Sequence, residues 1–179
     1  FDGQPVGTFG VAGAFSFYPT KNMTSGEGGM VATNDPEIAR KVKLLRNQGM
    51  EKRYANEVVG FNNRMTDIHA AIGRVQLKRL NDWTITRQRN AAFLTANLRN
   101  VITPVVVEKA VHVWHQYTIR VLEGSVRNRD AVIEQLTDKG IGCGIYYPKL
   151  AHDYDCFRGN PAIEQTETPI ASRLVSEVI

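Results

Sequence analysis

Cysteine is scarce. The 179 residues hold only Cys143 and Cys156, with neither the number nor the spacing of a disulfide framework or a zinc site, so no metal is expected and a reducing cytoplasm suits the chain. No apolar run is long enough to span a bilayer, which leaves no membrane partner to expect, and no signal-peptide pattern opens the sequence. Nor is there a block of like charge. Lys plus Arg number 22 and Asp plus Glu 18, a formal charge of +4 with the basic residues spread among acids. That distribution does not demand nucleic acid, and the aromatic residues do not interleave with it as a nucleic-acid module requires. A phosphorylated small molecule remains compatible. Internal repeats and low-complexity segments are missing too. An initiator methionine is absent at Phe1 and the chain stops inside an apparent helix, "ASRLVSEVI". The sequence reads as a piece of something longer.

What is present has the balance of a globular chain with one sizeable core, 42% hydrophobic and 22% charged. Residues 11–17, "VAGAFSF", and 29–33, "GMVAT", are short apolar segments bounded by glycine and predict two buried strands around a loop. In "NDPEIARKVKLLRNQGM", Asp35 caps a helix, Pro36 occupies its first turn, Ile38, Val42 and Leu45 form one face, and Gly49 closes it. Residues 50–64 lack a sustained period and read as loop. From Thr66 a long helix is predicted, with Ile68, Ile72, Val75, Leu80 and Trp83 on its apolar face. Further on, "HVWHQYTIRVL" (112–122) alternates like a half-buried strand, "NRDAVIEQLTDKG" is a helix capped by Asn128 and ended by Gly140, and "IGCGIYYP" reads as a returning strand. Thr168 and Pro169 begin a last helix.

One lysine, Lys21, sits between the first apolar run and the glycine-rich "SGEGG". A surface lysine on a hairpin loop is one reading. A Schiff-base lysine is the other, because an amine partly removed from water retains a usable neutral fraction for condensing with an aldehyde. Spacing alone leaves both open. Ser16, five residues earlier, has a hydroxyl suited to a phosphate, and backbone N–H groups of a glycine-rich turn can line an anion pocket. The string lacks P-loop or GxGxxG spacing.

In order along the chain, "FSFYPTKNMTSGEGGMVATND", "LLRNQGM", "GFNNRMTDIHAAIGRVQLKRLNDW", "HVWHQYTIRV" and "GIGCGIYYP" resemble the DegT/StrS family of pyridoxal 5'-phosphate sugar aminotransferases, which have the aspartate aminotransferase (type I) fold. The resemblance implies an α/β chain: residues 1–66 as part of a cofactor-binding large domain built of strand, loop, strand and helices, 67–100 as a long connecting helix, and 101–179 as an incomplete small α/β lobe. It implies that Lys21 holds the cofactor covalently and afterwards carries a proton as general base, and that Ser16 binds the cofactor phosphate. Asn62 matches a residue that reaches the cofactor phosphate of a neighbouring subunit, implying a homodimer with shared active sites. Plain structural roles, a strand-end bond for Ser16 and a turn for Asn62, stand beside these.

His115, Tyr147 and His152 fall where family members line the substrate pocket, and Arg64 is placed to meet an anionic substrate group, a partner subunit or a surface carboxylate. Tyr146 stands where many members have histidine. The expected reaction is transfer of an amino group from glutamate to a keto group of a nucleotide-linked sugar. Related dehydratases generally have histidine at the position of Lys21, so the lysine argues against that chemistry. The aspartate that pairs with the pyridinium nitrogen belongs upstream of Phe1 in the family, and Asp2 does not replace it. The 179 residues alone are therefore expected to be inactive. The competing class is a non-catalytic regulatory or interaction protein derived from the same fold.

Overall fold

The computed structural model describes residues 1–122 and 124–179 and divides into two compact units, Phe1–Asn90 with Val106–His115, and Ala91–Val105 with Gln116–Ile179.

In the first unit the two apolar runs pair antiparallel as β1 (Gly13–Ser16) and β2 (Gly29–Ala32), with Gly13 opposite Ala32 and Ser16 opposite Gly29. This is the expected strand, loop, strand. Helix α1 (Pro36–Arg46) begins where Asp35 Oδ1 accepts the N–H groups of Glu37 and Ile38 at 2.8 and 3.2 Å, satisfying donors that no earlier turn can reach. Glu37 in its first turn and Lys43 and Arg46 in its last follow the helix dipole. Past its end, Gly49 adopts φ +75° and gives its N–H to Leu44 C=O at 2.8 Å. A Cβ there would lie 1.7 Å from Val58 O, so only glycine fits.

Residues 50–64, read as loop, contain a small hairpin, β3 (Met50–Lys52) with β4 (Ala55–Asn56). Its anchor is long-range charge: Arg40 on α1 bonds Glu57 at 2.5 Å and Glu51 at 3.4 Å. Helix α2 then runs 31 residues, Asp67–Asn97, starting where Thr66 Oγ1 accepts His69 N–H at 3.2 Å. The first part of its expected apolar stripe stays exposed, Ile68 at 74% and Val75 at 61%, while Leu80 and Trp83 are partly covered. Among the described residues no helix is long and apolar enough to cross a membrane.

The second unit contains α3 (Arg129–Asp138), capped by Asn128 Oδ1 on Ala131 N–H at 2.9 Å, two short 3-10 turns (Ala151–Asp153 and Asp155–Phe157), and α4 (Pro169–Glu177). The strands expected over 112–122 and in "IGCGIYYP" do not form as ladders. Arg120 alone makes bridges, to Ile102 on one side and Val178 on the other, with backbone exchanges at 2.9 Å between Ile102 and Arg120 and at 3.1 Å between Ile119 and Ile179. Upstream, within the first unit, Trp114 turns to φ +49°, and side chains take the carbonyls that a neighbouring strand would need: Gln88 that of His112, Asn22 that of Val113, Arg87 those of Trp114 and His115. In the other segment Ile141 N–H closes the end of α3 on Leu136 C=O at 2.9 Å instead of entering a ladder.

Glu177 is 3% exposed and accepts two bonds on Oε2, from Arg120 Nε at 2.8 Å and Nη2 at 2.6 Å. It ties α4 to the 119–121 segment, while Val121, itself buried, donates its N–H to Glu177 C=O at 2.8 Å. Removing the carboxylate leaves a guanidinium that solvent only partly reaches. Glu177→Ala should therefore lower unfolding free energy by about 3 kcal/mol, read as a lower urea midpoint, whereas Arg120→Met combined with Glu177→Leu should cost much less.

Candidate active site

The residue on which the site depends is carried by the loop 17–28 between β1 and β2. Phe17 donates its N–H to Gly28 C=O at 2.9 Å, and its own carbonyl accepts both Ser25 N–H at 3.1 Å and the Thr24 hydroxyl at 2.9 Å. Thr24 Oγ1 accepts Gly26 N–H at 2.8 Å, and the Ser25 hydroxyl donates to Glu27 C=O at 2.6 Å. Ser25 is fully buried. Gly28, at φ +144°, lies where a Cβ would come 2.7 Å from Met65 Cε and 2.8 Å from Ser25 Oγ. The glycines of "SGEGG" thus permit tight winding, which is a different use from lining an anion pocket.

Helix α2 backs this loop with one face. Gln76 Oε1 accepts Thr24 N–H at 3.5 Å, and a Cβ added at Gly73 would sit 3.4 Å from Ser25 Cβ. One added at Gly26 would sit 3.6 Å from the His69 ring. Positions 69, 73 and 76 share one helical face. Against that support the chain turns at 18–21, with Lys21 N–H on Tyr18 C=O at 3.0 Å, and Lys21 is half-buried. Among the described residues its ammonium has no hydrogen-bond or carboxylate partner within reach.

Lys21 and His115 are brought together. Asn22 donates from Nδ2 to Val113 C=O at 2.9 Å, and its Oδ1 lies 3.2 Å from His115 Nδ1. Arg87 Nη1 donates to the carbonyls of Trp114 and His115 at 3.0 and 3.3 Å. The His115 imidazole is held below its ordinary pKa of 6.5, first by burial and then by the positive charges of Lys21 and Arg87.

The remaining expected residues are distributed as follows. Ser16, at the end of β1, is exposed, and its Oγ accepts Tyr18 N–H at 3.4 Å; this is the strand-end bond, and it leaves the hydroxyl proton uncommitted. Asn62 and Asn47 face each other in an isolated bridge, and Arg64 joins their side chains, Nε to Asn62 Oδ1 at 2.9 Å and Nη1 to Asn47 Oδ1 at 3.0 Å. Arg64 has no carboxylate partner among the described residues. In the second unit Tyr147 is exposed and meets Tyr146 edge to face at 5.7 Å between centroids. His152 Nε2 lies 3.8 Å from Asp153 Oδ1. Sequence reasoning overlooked Asn22, Arg87 and Gln76. Asn22 had a signal in its adjacency to Lys21, but nothing in the spacing ties Arg87 to residues 114 and 115.

The strand, loop and strand that carry Lys21 are as the sequence predicts, and comparison with known proteins shows the family. The sequence model of the DegT/DnrJ/EryC1/StrS aminotransferase family matches residues 1–179, and the chain belongs to that family. A UDP-N-acetyl-3-dehydro-alpha-D-glucosamine 3-aminotransferase of Acidithiobacillus ferrooxidans is 36% identical over 99% of the chain and 47% of its own length. A pleiotropic regulatory protein of Geobacillus stearothermophilus is 35% identical over 100% of the chain and 48% of its own. Among solved structures, S. venezuelae DesV in complex with a ketimine intermediate superposes with a TM-score of 0.88 at 33% identity, over 99% of the chain and 47% of DesV. The α/β chain is thus a partial aminotransferase fold, spanning about half the length of the relatives it matches.

A depressed His115 binds its proton less readily in the folded than in the unfolded chain. Its contribution to stability is complete above about pH 6.5 and is lost as pH falls from there toward the depressed folded value. The cofactor-free protein should accordingly lose stability as pH falls below about 6.5, a slope that His115→Asn flattens in urea melts at stepped pH. Lys21→Met should raise the His115 midpoint in an NMR titration, but only in part, because burial is the largest cause.

Proposed function

We propose that the full-length protein is a pyridoxal 5'-phosphate-dependent aminotransferase that moves an amino group from glutamate to a keto group on a nucleotide-linked sugar. The observation that carries this reading is Lys21, half-buried on a rigid loop without a carboxylate partner among the described residues. An amine so placed is available for covalent work, and a paired ammonium would not be. The residues present suit a phosphate-bearing aldehyde. Lys21 would hold it covalently, the uncommitted Ser16 proton would go to its phosphate, and Lys21 and Arg87 supply positive charge.

Bound there, the cofactor supplies an electron sink that acidifies the C–H bond beside the transferred nitrogen. Lys21 Nζ, once free of the cofactor, would be the group placed to take up that proton and return it. Asn62 is steadied by its bridge to Asn47 and by Arg64. Its Nδ2 is left to donate, which suits a phosphate held by a second copy, so the working form is a homodimer with shared active sites. His115, Tyr147, His152 and Arg64 are assigned to substrate. Residues 1–66 serve the cofactor-binding domain, 67–100 connect, and 101–179 form part of the small domain. The UDP-sugar named for the Acidithiobacillus relative supports the substrate class. Two free thiols, Cys143 and Cys156, suit the cytoplasm.

The regulatory name of the Geobacillus relative favours a second reading, a signalling protein on the same fold. One experiment separates the two. Full-length protein mixed with pyridoxal 5'-phosphate should show the visible band of the covalently held cofactor, which bleaches when glutamate is added. Lys21→Ala should abolish that band. The same spectrum in both proteins, or no band in either, would overturn the transferase reading in favour of the regulatory one, and the 179 residues alone should show no turnover.

A further inference from the structure

Asn22, next to Lys21, uses both ends of its amide. Nδ2 donates to Val113 C=O at 2.9 Å, and Oδ1 lies 3.2 Å from His115 Nδ1. A backbone carbonyl can only accept, so the first bond fixes which end of the amide is nitrogen. The end facing His115 is therefore oxygen, itself only an acceptor. The 3.2 Å contact is a hydrogen bond when Nδ1 carries the proton and a clash of lone pairs when it does not. In a neutral imidazole a proton on Nδ1 leaves Nε2 bare.

The surroundings keep the ring neutral. Lys21 and Arg87 are the charged groups that act on it, both positive, and no carboxylate among the described residues offsets them. Arg87 also pins the ring's own backbone carbonyl at 3.3 Å and that of Trp114 at 3.0 Å. The His112 ring, stacked on Trp114 at 4.2 Å, receives Trp114 N–H on its Nδ1 at 2.9 Å. The segment thus has several fixed points besides Asn22, and among the described residues only Asn22 bonds the His115 ring.

We propose that Asn22 is a positioning residue that fixes His115 as the Nδ1-protonated tautomer and so makes His115 Nε2 a hydrogen-bond acceptor beside Lys21. The chemical consequence is selective. An acceptor suits a ligand that brings a donor, a hydroxyl or an ammonium group, and it repels phosphate or carboxylate oxygens, for which Lys21 and Arg87 are the matching groups. The choice of a hydroxyl-bearing ligand rests on the aminotransferase reading. The tautomer does not, since it belongs to the folded chain.

The test is made on full-length, cofactor-free protein labelled with 15N-histidine, by two-bond proton–nitrogen correlation at mildly alkaline pH. His115 should show a protonated Nδ1 and an unprotonated Nε2. Asn22→Ala should move the ring toward the opposite tautomer. Asn22→Asp should keep the proton on Nδ1 while raising the titration midpoint by about one pH unit, since a carboxylate replaces the neutral oxygen. A wild-type ring protonated at Nε2, or unchanged nitrogen shifts in Asn22→Ala, would overturn the proposal. Should the alanine variant fail to fold, the wild-type spectrum and the aspartate variant decide alone. Because no cofactor is present, the result is independent of whether the absorbance band forms.

Discussion

Packing of the loop 17–28 against one face of helix α2 is the constraint from which the rest of the site follows. Ser25 is sealed from solvent between them, and the loop winds this tightly because position 28 carries no side chain that would strike Ser25 and Met65. With its interior satisfied by its own hydroxyls and amides, the loop needs few apolar contacts to keep one shape. Lys21 inherits its place from that winding, Asn22 inherits its own from Lys21, and the segment 112–115 is drawn in by Asn22. A side chain at Gly28 would disturb a chain of dependencies in which Asn22 meets an imidazole 93 positions away from it in sequence.

The electrostatics of the first unit separate cleanly. Glu51 and Glu57 are both consumed by Arg40, and Asp35 is spent on the start of α1. Among the described residues Arg64 and Arg87 are left with neutral or backbone partners and the Lys21 ammonium with none. Each can therefore meet an anion without first breaking an ion pair, which saves the cost of exposing a stranded carboxylate. The net charge of +4 is modest, and these three cations carry no ion pair among the described residues.

The parts of this structure legible in the sequence are those governed by a few adjacent residues. Asp35 and Asn128 mark helix starts by capping bonds, Pro169 marks another by its place in the first turn, and the two glycine-bounded apolar runs mark the hairpin. Lys21 stood out because a cation after an apolar strand needs a reason. Alternation over 112–122 was a true local pattern that lacked a partner: a ladder requires free carbonyls, and those of 112–115 are claimed by Asn22, Arg87 and Gln88, which lie 24 to 91 positions away. The hairpin at 50–56 was missed for the related reason that Arg40 stabilises it from another element. The stripe of α2 was read as its apolar face, whereas the face that meets the loop carries His69, Gly73 and Gln76. Close packing there selects for a small residue, Gly73, and a hydrophobic count is blind to that.

The side-chain capture of four successive carbonyls also bears on how the protein behaves in a crowded solution. A β-branched, aromatic-rich stretch such as "VHVWH" with free backbone groups is a template on which a stray extended chain can grow. Here the acceptors at His112, Val113, Trp114 and His115 are already occupied, and the left-handed kink at Trp114 breaks the straight edge. The bonds that order this segment beside Lys21 also deny it to intruding strands, so the same few polar side chains guard against aggregation.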